Sequence, residues 1–219
     1  MHGFDADSIV RRALDGLGAA HGWRVEIEKH VPVAAGLGGG SSDAATALRL
    51  ANRQLPQPLS PTKLHALAAA TGADMPFFLA DGPQLGSADG TVLEPLDLPQ
   101  DFAVLLFLPA AATKSSTADV YASFDARGGA GGFEARAAEL REKLAAVRRP
   151  RDLAELPPND LASSPFSERL RELGAFRADV SGAGPTVYGL FHDRDAAGDA
   201  RRALRRLGRG ILTVPAWYG

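Results

Sequence analysis

The chain reads as an α+β protein built in two units that meet near Leu96, and three stretches predict this. The first 80 residues run helix, strand, glycine-rich loop, helix, helix. Pro83 to Pro99 is dense in glycine and proline and reads as a short hairpin leading to a boundary. The last 45 residues then run strand, glycine turn, strand, helix, strand. A length of 219 residues allows one large domain or two small ones. The boundary divides it into 1–96 and 97–219.

The elements follow from pattern and punctuation. Ile9, Val10, Ala13, Leu14 and Leu17 share one helical face over residues 7–21, with Asp7 or Ser8 as cap and Gly22 as terminator. Arg24 to Val31 alternates like a half-buried strand, with Val25, Ile27 and Val31 on one face and Lys29 breaking the pattern. After the glycines, Ala44, Ala47, Leu48, Ala51 and Leu55 repeat at helical spacing. Ser41 or Ser42 can cap that helix and Asp43 falls in its first turn. Ser60 and Pro61 open the next helix and Gly72 closes it. Met75 to Leu79 is a strand-like apolar run.

In the second half, Phe102 to Leu108 reads as a central strand buried on both faces, ended by Pro109. Ser115 or Ser116 caps a short helix ending near Phe124. Phe133, Ala137, Leu140, Leu144 and Val147 form a helical stripe. Residues 150–164 are irregular, and Ser164 with Pro165 opens a helix closed by Gly174. A helix over Asp195 to Leu207 and a strand over Ile211 to Val214 complete the chain.

Composition narrows the function classes. Hydrophobic residues make up 45% and charged residues 23%, enough for a substantial core. A net charge of −2 gives no global field for nucleic acid or an anionic membrane. Arg201, Arg202, Arg205, Arg206 and Arg209 read as the wet face of one helix. There is no cysteine, hence no disulfide, thiol nucleophile or thiolate metal site. The five histidines show no metal-ligand spacing. A cytoplasmic protein with a small-molecule partner is the expectation.

Three motifs carry chemistry, and each has a plainer alternative when taken alone. Gly36, Gly38, Gly39 and Gly40 lie between a strand and a helix start, where backbone N–H groups and the helix dipole can hold a phosphate. No Gly-Lys-Ser/Thr follows, so this is not a P-loop, and the glycine spacing does not match a dinucleotide fingerprint. A structural turn is an equal reading. Asp74, between a helix end and Pro76-Phe77-Phe78, is well fixed to orient a hydroxyl, or is simply a turn aspartate bonding its own backbone. A carboxylate is a weak base for an alcohol, so its value in phosphoryl transfer lies in positioning and late proton uptake. Ser181-Gly182-Ala183-Gly184-Pro185-Thr186 is a tight connection or a second glycine loop covering the first.

In this order, GLGGGSSDAA, GADMPFF and SGAGPTVYGLF resemble the GHMP kinases, a superfamily named after galactokinase, homoserine, mevalonate and phosphomevalonate kinases. The triple glycine with SSDAA, and the GADMPFF block still more specifically, are similar to its branch acting on 4-diphosphocytidyl-2-C-methyl-D-erythritol. The resemblance runs from about Ile9 to Phe191. It implies a ribosomal-protein-S5-like N-terminal domain, partial here, followed by a ferredoxin-like C-terminal domain. It implies ATP with Mg²⁺, and phosphorylation of the substrate's 2-hydroxyl in non-mevalonate isoprenoid synthesis. By motif, Pro32, Val33, Ala34, Ala35, Gly36, Leu37, Gly38, Gly39, Gly40, Ser41 and Ser42 would bind ATP. Asp74 would be the catalytic aspartate and also touch substrate, Tyr121 would stack on the cytosine, and Gly182 and Gly184 would line the site.

The resemblance to that branch also implies, ahead of the matched region, a Pro-Ala-Lys-Ile-Asn-like strand with a catalytic lysine and a Gly-Tyr-His-like block that helps hold the cytidine. Neither occurs in this sequence, and Lys29 matches neither. The expectation is an exposed sheet edge, weakened ATP binding, and low or absent turnover. The alternatives are a catalytically impaired nucleotide-binding remnant or, less well matched, a homoserine- or mevalonate-type kinase.

Overall fold

The structure, a computed structural model, describes residues 8–18, 22–111 and 116–215. Over the described residues the chain forms two compact units, Met1–Ala34 with Gly38–Asp97, and Ala35–Leu37 with Leu98–Gly219. The chain therefore leaves the first unit for three residues of the glycine loop and returns.

The first unit is built on helices α1 (Ile9–Asp15), α2 (Gly39–Gln54) and α3 (Pro61–Thr71). Their apolar faces bury Val10, Ala13, Ala44, Ala45, Leu48 and Ala68 in one core, where small alanines allow close helix approach. Leu48 is fully buried, so Leu48→Ala should cost about 2–5 kcal/mol of unfolding free energy, read by denaturant titration. Ser8 caps α1, its side chain accepting from Arg11 N–H at 3.2 Å. The helix stops at Asp15 rather than near Gly22, because Gly16 and Gly18 follow and Gly18 takes φ +104°. Asp7 and residues 19–21 lie outside the described residues. Helix α3 is bounded as its sequence predicts, by Ser60, Pro61 and Gly72. Asn52, at the end of α2, fixes the proline-containing connection by bonding both backbone groups of Leu59, at 2.8 and 3.1 Å.

Two sequence expectations fail here. Residues 24–30 alternate in exposure, while Val31 is 39% exposed at a bend instead of sharing the face of Val25 and Ile27, and the segment pairs with no strand among the described residues. The period-2 pattern sets the pleat, whereas a ladder needs a neighbour as well. Met75 to Leu79 is not strand-like: Pro76–Leu79 is a 3-10 turn, since Pro76 fixes φ and offers no N–H to a ladder. Strands β1 (Gln84–Ser87) and β2 (Val92–Pro95) form the expected antiparallel hairpin.

The second unit carries a four-stranded antiparallel sheet of β3 (Ala103–Pro109), β4 (Arg177–Val180), β5 (Val187–Phe191) and β6 (Gly208–Thr213), in the order β4-β5-β3-β6. Helices α4 (Thr117–Ala126), α5 (Phe133–Ala146), α6 (Pro165–Glu172) and α7 (Arg194–Leu204) complete it. Leu105, Phe107, Val187 and Phe191 meet Leu170 of α6 and Ala197, Ala200 and Leu204 of α7 in the main core. Strand β3 is central, but only Ala103, Leu105 and Phe107 are fully buried. Its other face meets a smaller cluster around Val147, Leu153 and Leu190, so the expected double-sided burial is only half realised.

Helix α5 forms, and along its stripe Ala137, Leu140 and Leu144 are half-buried and Val147, just past its end, is buried, whereas Phe133 is 60% exposed. Residues 150–164 are irregular apart from a 3-10 turn over Pro150–Glu155. Helix α7 ends three residues before the expected Leu207, and its arginines are exposed. None of the described helices is long and apolar enough to cross a membrane.

Ser116 and Asp119 form a reciprocal capping box on α4, which carries Tyr121. Ser116→Ala should cost about 1 kcal/mol of local helix stability, read as lower amide protection over 117–121. Hydrogen bonds from Ser116 hold the Asp119 carboxyl below its ordinary value near 3.8. The cap is therefore complete above that value and is lost as pH falls through the lowered folded one.

Candidate nucleotide site

The glycine loop takes left-handed backbone at three of five positions: Ala34 at φ +55°, Gly36 at +73° and Gly38 at +64°. Helix α2 starts directly behind Gly38, which caps it without a side chain. Ser41 and Ser42 are therefore not its caps but lie within its first turn. The first helical bond runs from Ser42 N–H to Gly38 O at 2.9 Å. The N–H groups of Gly39, Gly40 and Ser41 are left without intrahelical acceptors at the positive end of a 16-residue helix. That is the arrangement that binds an anion.

Asp43, expected in the first turn, falls just beyond it. Its carboxylate pairs with the Lys29 ammonium, the two side chains being 29% and 22% exposed. Lys29 breaks the apolar alternation of its segment because it shares the half-buried face of Val25 and Ile27 and finds its countercharge there. A Cβ on Gly39 would sit 3.1 Å from Val31 Cγ1 and 3.9 Å from Lys29 Nζ. One on Gly38 would sit 2.7 Å from the Phe78 ring. The Pro76-Phe77-Phe78 block thus packs against the glycine loop.

Within the second unit, Ala35–Leu37 meets the β4–β5 connection. Ser181 Oγ donates to Gly36 O at 2.7 Å, and Thr186 N–H to Ala35 O at 3.2 Å. A Cβ on Gly36 would fall 2.5 Å from Gly184 O and 2.7 Å from Ser181 O, both backbone atoms. The two glycine loops singled out in the sequence are in contact, and Gly36 is the point of closest approach. Gly182 and Gly184 take φ +56° and +77°.

Asp74 lies in the turn between α3 and the 3-10 turn and is exposed. Its carboxylate has no hydrogen-bond partner among the described residues; the turn is closed instead by Met75 N–H to Gly72 O at 3.0 Å. The plainer reading, an aspartate bonding its own backbone, is not what forms. Tyr121 is 53% exposed on α4. Sequence reasoning missed the Lys29–Asp43 pair, although the break in alternation at Lys29 signalled it. It also missed Asn159, which donates to Gly182 O at 2.8 Å from a stretch with no motif.

A left-handed glycine opening a 16-residue helix with its first N–H groups free is the kind of helix start at which anions bind. Residues 7–82 match the family described as GHMP kinases N terminal domain, and residues 166–210 match GHMP kinases C terminal. A 4-diphosphocytidyl-2-C-methyl-D-erythritol kinase of Synechococcus sp. is 38% identical, over 86% of this chain and 65% of its own length. One from Prosthecochloris aestuarii is 34% identical, over 93% of this chain and 73% of its own. The crystal structure of a 4-(cytidine 5'-diphospho)-2C-methyl-D-erythritol kinase superposes with a TM-score of 0.75 at 30% identity, covering 98% of this chain and 80% of that one. The chain belongs to the GHMP kinases and, within them, to the 4-diphosphocytidyl-2-C-methyl-D-erythritol kinase family, whose fold it has. It spans 65% and 66% of the length of the first two curated relatives it matches.

Proposed function

We propose that this chain binds ATP and phosphorylates the 2-hydroxyl of 4-diphosphocytidyl-2-C-methyl-D-erythritol, as the names of its relatives suggest. The observation that carries this is the free first turn of α2 behind left-handed Gly38. Its N–H groups suit a triphosphate without needing a lysine. In this reading Pro32 to Ser42 hold ATP, which enters as its Mg²⁺ complex. In this reading residues 1–96 make up the ATP-binding domain and 97–219 the C-terminal one, within a residue of the division between the two compact units apart from Ala35–Leu37. A cytoplasmic location goes with a chain that has no cysteine.

Phosphoryl transfer has a loose transition state, so positioning and charge stabilisation supply most of the catalysis. The substrate's 2-oxygen forms a bond to the γ-phosphorus as the bond to the β–γ bridging oxygen breaks and ADP leaves. Asp74 orients the hydroxyl and receives its proton late. Tyr121 stacks on the cytosine, and Gly182 and Gly184 leave room for substrate because neither carries a side chain.

A second reading, nucleotide binding with impaired transfer, draws on the Lys29–Asp43 pair, since the lysine beside Gly39 is already neutralised. Phosphorus NMR of ATP with the cytidine substrate, mevalonate or homoserine separates the readings, run on the 219 residues and on an upstream-extended chain. The kinase reading expects ADP and phosphorylated product with the cytidine substrate alone. ATP binding without ADP from either chain favours the second reading. Product from mevalonate or homoserine overturns the substrate assignment.

A further inference from the structure

We infer that Asn159 is a positioning residue that sets the second glycine loop, and through Ser181 the phosphate loop, for nucleotide binding; this rests on the ATP-binding reading above. Asn159 lies in the irregular stretch before α6, yet its amide is fully engaged. Nδ2 donates to Val180 O at 3.0 Å and to Gly182 O at 2.8 Å, the two carbonyls that flank Ser181. Oδ1 accepts from Leu161 N–H at 2.8 Å and Ala162 N–H at 3.4 Å, which closes a local turn and orients the amide. Its own N–H donates to Asp179 Oδ2 at 2.7 Å.

The support behind it is equally tied. Asp179, 8% exposed, also accepts Val180 N–H through Oδ1 at 2.8 Å. Arg177 donates to the carbonyls of Leu153, Leu156 and Pro157 and to the Tyr188 hydroxyl, with all four distances between 2.7 and 3.1 Å. The stretch from Leu153 to Asn159 is thereby fastened to β4 and β5. Ser181, held on both sides, turns its hydroxyl to Gly36 O at 2.7 Å. The left-handed Gly182 leaves the loop few bonds of its own: Ser181 N–H to Thr186 O and Gly184 N–H to Ser181 O, both 2.9 Å. Without the Asn159 grip, nothing fixes the Gly182 carbonyl among the described residues.

Asn159→Asp has nearly the same shape but replaces two donors with a carboxylate facing two carbonyls. Asn159→Ser is the milder test, since its hydroxyl can still accept from Leu161 N–H. ATP dissociation constants are measured for the wild-type chain, both variants, Ser181→Ala, and Asn159→Ser combined with Ser181→Ala. Amide hydrogen exchange is followed over 180–187. Each Asn159 variant should raise the ATP dissociation constant about tenfold or more, the scale of one or two lost hydrogen bonds, and speed exchange at Gly184 and Thr186. The double variant should bind no worse than the weaker of its parents, because both act along one path.

A wild-type chain that binds no ATP defeats the functional reading and takes the inference with it. Wild-type binding together with unchanged binding in Asn159→Ser overturns the inference alone. Additive losses in the double variant also overturn it, as a general loss of stability would give them.

Discussion

Replacing Asp74 with asparagine should lower kcat by about 10²- to 10⁴-fold, the range for losing a positioned acid–base group. The ATP dissociation constant should stay within about twofold, because a group acting only on the reacting hydroxyl does not contribute to ground-state nucleotide binding. The structure makes this substitution unusually clean. Asp74 is exposed, and its carboxylate holds no other group among the described residues, so asparagine removes charge and basicity without removing a structural bond. Steady-state kinetics with the cytidine substrate, alongside an ATP titration, reads both numbers. A collapse of ATP affinity with kcat preserved would remove Asp74 from the role proposed for it.

Gly36→Ala should weaken ATP binding by about a hundredfold, for two reasons that add. A left-handed backbone costs a residue with a Cβ about 1–2 kcal/mol, and Gly36 sits at φ +73°. The new methyl would also meet the Gly184 and Ser181 carbonyl oxygens at 2.5 and 2.7 Å. These are backbone atoms, so no rotamer change relieves the clash and the two loops must separate. Gly39→Asp tests the same loop by charge, setting a carboxylate among N–H groups meant for phosphate. There the neighbouring Lys29 ammonium offers the new carboxylate a partner, which makes Gly36→Ala the sharper variant. Isothermal titration with ATP reads both, and unimpaired binding by Gly36→Ala would sink the claim that this loop contacts the nucleotide.

The boundaries written into the sequence by side-chain chemistry were legible. Ser60 with Pro61 and Ser164 with Pro165 each act within one turn, so they need no tertiary information, whereas at α4 the sequence left Ser115 and Ser116 as alternatives and the Asp119 half of the box went unread. The start of α2 was missed because its cap is Gly38, whose left-handed φ substitutes for a side-chain acceptor. Serines three and four residues further on looked like better caps than a glycine. Residues 24–31 show the converse failure: alternation describes one segment, whereas a sheet is a property of two.

Within the candidate site, the phosphate loop, the Asp74 turn and the second glycine loop were visible as motifs. That the second glycine loop could cover the first was one of two readings, but the bond that joins them was not legible, because Ser181 to Gly36 links residues 145 apart. Asn159 left no trace at the sequence level, since an asparagine between prolines and an aspartate looks like any polar loop. Its function depends on two backbone carbonyls that sequence does not display.

The central claim is that the first turn of α2 is a phosphate seat, and amide chemical shifts test it most directly. ATP is titrated into the ¹⁵N-labelled 219-residue chain while backbone resonances are followed. The account predicts that the amides of Gly39, Gly40 and Ser41 move first and furthest, with Gly36 and Ser181 following through their shared hydrogen bond. Saturable ATP binding that leaves those three amides unmoved, or no binding at all, would contradict it.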